Sequence, residues 1–92
     1  MNKTKFFIVS IQRDYIVRFH AQAEDLVLGF QNRYPGYLFH VKKIEAHLFC
    51  FSVVPPEEAD EAQTSAYTAE LKKCVFEDLI PSEHIHLEAS NL

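Results

Sequence analysis

A chain of 92 residues suffices for one domain and falls short of the roughly 150 at which a second core is expected. With 48% hydrophobic and 24% charged residues, two glycines and four prolines, the composition excludes collagen-like, low-complexity and disordered classes. A net charge of -4 gives no general attraction to polyphosphate, so nucleic acid is not an expected partner.

Lys5 to Gln12 (KFFIVSIQ) is aromatic and β-branched, and after Arg13-Asp14 the same texture resumes at Tyr15 to Ala21 (YIVRFHA). That pattern predicts a β-hairpin. From Gln22 to Tyr34 the apolar residues Ala23, Leu26, Val27, Phe30 and Tyr34 recur at spacings of three and four, with Glu24 and Asp25 where a helix dipole favours anions. An amphipathic helix is predicted there, stopped by Pro35-Gly36. Tyr37 to Ile44 (YLFHVKKI) and His47 to Val54 (HLFCFSVV) predict a second hairpin, with Glu45-Ala46 as its turn.

Pro55-Pro56 ends the strand, and Glu57 to Leu79 is rich in Ala, Glu, Leu and Lys, predicting a second helix that stops before Pro81. Its apolar line is Tyr67, Leu71, Cys74 and Val75, while Ala59, Ala62, Ala66 and Ala69 form a separate small-residue side. His84 to Ala89 (HIHLEA) alternates and predicts a short final strand. The fold class is therefore α+β, a single domain over 1–92 in the order ββαββα with a possible short C-terminal strand. Two layers are expected: an antiparallel sheet with both helices on one face.

A two-residue turn at Arg13-Asp14 sorts Phe7, Val9, Ile11, Ile16, Arg18 and His20 onto one face of the first hairpin. The other face takes Phe6, Ile8, Ser10, Tyr15, Val17, Phe19 and Ala21. The second hairpin splits likewise, with Tyr37, Phe39, Val41, Leu48, Cys50 and Val54 on one side and Leu38, His40, Lys42, Ile44, Phe49, Phe51 and Val53 on the other. Both faces are apolar, and two helices can cover one of them. The face of Phe7, Val9, Ile11, Leu38, Phe49, Phe51 and Val53 is thus expected to meet a second copy in a homodimer. A slip of one residue in register would exchange the face assignments.

Histidine supplies the candidate chemistry. His20 and His40 share the inferred open face with Arg18 and Lys42, a basic rim suited to a small anionic ligand. In a cleft between two sheets, His20 or His40 would serve as general base and Arg18 would orient the anion. The simpler reading is that these residues pair across an interface. His84, His86 and Glu88 alternate along the predicted final strand and are the candidate metal ligands, although no complete metal site and no cofactor is expected.

No serine nucleophile motif, glycine-rich phosphate loop, HExxH or zinc-type cysteine pair occurs. Phe49 and Phe51, with Phe6 and Phe7, lack the glycines that accompany base-stacking aromatics in RNA-recognition sheets, so they read as core or interface. Cys50 and Cys74 are isolated and expected to be reduced, buried thiols. The apolar run Phe6 to Ile11, six residues long, is too short for a membrane span of ~20 or a secretory core of ~7 to 15, so a cytoplasmic location is expected. The function expected first is a homo-oligomeric binding or interaction module. A small-ligand-binding protein or cofactor-independent enzyme comes second, and a metal-binding protein using the C-terminal His-x-His third.

Overall fold

The computed structural model describes residues 4–91. Strands β1 (Lys5–Ile11), β2 (Leu38–Glu45), β3 (Leu48–Val54) and β4 (Ile85–Ser90) form one antiparallel sheet in the order β2-β3-β1-β4. Helix α1 (Ile16–Arg33) connects β1 to β2, and α2 (Glu61–Cys74) lies between β3 and β4. The α+β class stands and the possible short C-terminal strand is present as β4, but the order is βαββαβ, a split βαβ arrangement, because the second element of the expected ββαββα order is helical. No described helix is long and apolar enough to cross a membrane.

The difference lies in Tyr15 to Ala21, which is helical rather than a strand. A 3-10 turn over Arg13–Tyr15 leads straight into α1, and the core face of the helix is Phe19, Ala23, Val27 and Phe30. Val17, from the same β-branched run, is 85% exposed. Burying one continuous helical stripe outweighs the local strand preference of the first turn. The stop is as expected: Tyr34 N–H donates to the Phe30 carbonyl at 2.9 Å, Pro35 cannot continue the helix, and Gly36 turns the chain at φ 101°.

The β2–β3 turn falls at Ala46-His47, one residue later than Glu45-Ala46, and β2 carries a bulge between Lys43 and Glu45. Phe39 therefore pairs with Val53, and Val41 with Phe51. That shift sets Leu48, Cys50 and Val54 on the side opposite Phe39, contrary to the split inferred from a symmetric turn.

α2 begins at Glu61 rather than Glu57, because Pro56 closes a turn onto Ala59 and Asp60 caps the helix by accepting from Ala62 N–H at 3.0 Å. Its buried positions are Thr64, Thr68 and Leu71. Both threonine hydroxyls donate back to the carbonyl four residues earlier, Thr64 to Asp60 at 3.1 Å and Thr68 to Thr64 at 2.7 Å. Two polar side chains can thus lie in the core without an orphaned donor. A π-helical turn over Val75–Leu79 follows, and the chain enters β4 through Ser82–His84.

One cluster of buried residues joins both helices to alternate strand positions, with Phe7, Val9 and Ile11 from β1, Phe49, Phe51 and Val53 from β3, Phe39 from β2 and Ile85 from β4. Phe7 stacks on Phe51 with centroids 5.0 Å apart, and Phe19 of α1 meets Phe49 and Phe51 edge-on at 5.1 and 6.0 Å. Phe7, Val9, Ile11, Phe49, Phe51 and Val53 are each at most 3% exposed. They form the interior of one chain, so the expectation that they meet a second copy is corrected. Leu38 stands apart from that group, on the other side of the sheet and 49% exposed.

One edge of the sheet is partly closed from within. The Gln31 side chain on α1 donates from Nε2 to the Tyr37 carbonyl and accepts from Phe39 N–H at 3.0 Å, occupying the start of the free side of β2.

Candidate functional site

The register defines the outward face of the sheet row by row. Leu38 lies beside Val54; His40, Ser52 and Phe6 form the next row; then Lys42, Cys50, Ile8 and Ala89; then Glu45, Leu48, Ser10 and His86. None of these residues is fully buried, whereas Phe7, Val9, Phe39, Phe49, Phe51 and Val53 on the inner side belong to one core cluster with residues of α1 and α2. The centre of the face is apolar, carried by Phe6, Ile8, Leu48, Cys50 and Val54, while His40, Lys42, Glu45 and His86 lie on the two edge strands.

Neither cysteine is built as a nucleophile. Burial pushes the Cys50 thiol above its ordinary range, with the Lys42 ammonium acting in the opposite direction. Burial likewise raises Cys74, helped by the hydrogen bond and charge of Asp78 and the charge of Glu70, and opposed by Arg33. Both thiols are free, and raised pKa values leave little thiolate near neutral pH.

The residues expected to form a basic rim do not come together on one sheet face. Arg18 and His20 belong to α1; the His20 ring packs 5.3 Å from Phe49, and its Nε2 lies 4.0 Å from the Glu24 carboxylate. His40 remains on the outward side of β2 with Lys42, bordering a shallow groove shared with Glu24 and Leu28. The strand assumed to carry Arg18 and His20 is a helix, so a general base in His20 or His40 oriented with Arg18 has no common site.

A cleft of about 390 Å³ opens at one end of the sheet, lined by Ser10, Ile11, Gln12, His47, Glu83, His84 and His86. The end of β1 draws these residues in from both sides. Ile11 N–H donates to the His47 carbonyl at 2.9 Å, Gln12 N–H donates to the His84 carbonyl at 3.0 Å, and Ser10 lies opposite His86. The His84 ring stacks on Tyr15 at 4.2 Å, and its Nε2 sits 3.6 Å from the Glu83 carboxylate.

His84 and His86 therefore share a site, but Glu88 does not join them. Leu87 pairs with Val9 and Ala89 with Ile8, so Glu88 occupies an irregularity that breaks the alternation assumed for three ligands. Among the described residues no group of three or more His, Cys, Asp or Glu side chains is arranged to hold a metal ion. His47 is the member missing from the sequence reading. Its place beside His84 depends on β1 pairing with β3 and β4 at once, over separations that no local pattern reports.

No protein-family model matches the chain, and no curated protein matches it.

Proposed function

We propose that the chain is a small, single-domain, two-layer binding or interaction module that forms a homodimer through the outward face of its sheet. The observation that carries this reading is the apolar centre of that face, Phe6, Ile8, Leu48 and Val54, none of them buried within the protomer. A solvated face of an antiparallel sheet ordinarily alternates to polar residues, and an apolar patch with a polar rim marks an association surface. β1 and β3 place no charged side chain on it, so its occupant must be flat and uncharged at the centre. A second copy supplies such a face, and two sheets stacked about a twofold axis leave Lys42, His40 and His86 at the wet margins.

Light scattering across a concentration series tests this reading. A mass of two chains at high concentration, falling toward one on dilution, is the expected result. A mass of one chain at millimolar concentration would overturn it. A second reading, small-ligand binding, is favoured by the three-histidine cleft.

A further inference from the structure

The geometry points to the cleft at the end of the sheet as a binding site for a small oxyanion, a phosphate or carboxylate group held by His47, His86 and the Ser10 hydroxyl. Its volume, about 390 Å³, falls within the roughly 300 to 1,000 Å³ of small-molecule pockets. The lining is polar: His47, His84, His86, Ser10 and Gln12 surround the cleft with one carboxylate, Glu83. That carboxylate is 78% exposed and already directed at His84, and among the described residues no ion pair engages His47 or His86. An imidazole donates at least one N–H in either protonation state, and its bond to an oxyanion strengthens when the ring is charged.

Two features fix the frame before a ligand arrives. The carbonyls of His47 and His84 are engaged by the Ile11 and Gln12 amides, and the His84 ring is held between Tyr15 and Glu83. A transition metal is the weaker fit, since no set of three ligands is assembled among the described residues. All of its residues come from one protomer, and Ser10 and His86 lie in the same row of the outward face as Leu48, so the site borders the proposed seam.

The titratable groups bordering the cleft are His47, Glu83, His84 and His86, with Tyr15 stacked on His84.

The test is an NMR titration of the full chain with sodium phosphate, run against sodium chloride at matched ionic strength. The ring protons of His47, His84 and His86 are expected to shift together and saturate, while those of His20 and His40 stay in place. His47→Asn and His86→Asn should each weaken binding at least about tenfold while the remaining spectrum is retained. Uniform shifts of all five histidines, an equal response to chloride, or unchanged affinity in both variants would overturn the assignment. So would zinc chloride saturating the three rings under conditions where phosphate does nothing.

Discussion

Phe51→Ala is expected to destabilise the fold by about 3 to 5 kcal/mol, the range for removing a large aromatic side chain from a packed interior. Phe51 is wholly buried, stacks on Phe7 at 5.0 Å and receives the edge of Phe19 at 6.0 Å, so its loss opens a cavity where β1, β3 and α1 meet. Small domains have about 5 to 15 kcal/mol in total, and this substitution removes a large share of it. Urea unfolding followed by circular dichroism measures the change. A loss below about 1 kcal/mol would contradict the assignment of Phe51 to the interior.

Ile8→Glu is expected to act in the opposite way, leaving the protomer folded while abolishing association. Ile8 lies on a central strand between Cys50 and Ala89, on the side turned away from α1 and α2. In the free protomer the new carboxylate reaches water, and the cost is that of a less favourable strand residue, about 1 kcal/mol or less. In a dry seam the same carboxylate has no cationic partner in β1 or β3, and its desolvation costs several kcal/mol. The dissociation constant should rise by at least about a hundredfold, since each 1.4 kcal/mol is worth about a factor of ten. Sedimentation velocity measures this, with the thermal unfolding of the variant as the control for folding. A variant that associates as tightly as the wild type would place the seam elsewhere.

The contrast between these two adjacent kinds of position was only partly legible in the sequence. The helix after β1 declared itself through Ala23, Val27 and Phe30, and the breaks at Pro35-Gly36 and Pro55-Pro56 lie where the elements end. What misled was a seven-residue stretch, Tyr15 to Ala21, whose β-branched and aromatic texture reads as strand. The helical spacing in fact reaches back through Phe19 to Ile16, and tertiary burial decided between the two. Which face lay open then followed from one residue of register. The bulge in β2 and the later turn exchanged the sides of Phe49, Phe51 and Val53 with those of Leu48, Cys50 and Val54 relative to Phe39.

The candidate site was legible by residue type and not by partner. His84 and His86 were recognisable as a pair, and their closeness is preserved. His47 enters through β1, which hydrogen-bonds to β3 on one side and β4 on the other. Long-range pairing of this kind leaves no periodic trace, because each strand alternates with the same period whichever neighbour it takes.

Isotope-filtered nuclear Overhauser spectroscopy on a dimer mixed from labelled and unlabelled wild-type chains tests the seam most directly. Contacts between protomers are expected among the methyl groups of Ile8, Leu48 and Val54, with none involving the buried Val9 or Val53. An associated sample whose intermolecular contacts avoid Ile8, Leu48 and Val54, or a sample that shows no association, would contradict the account.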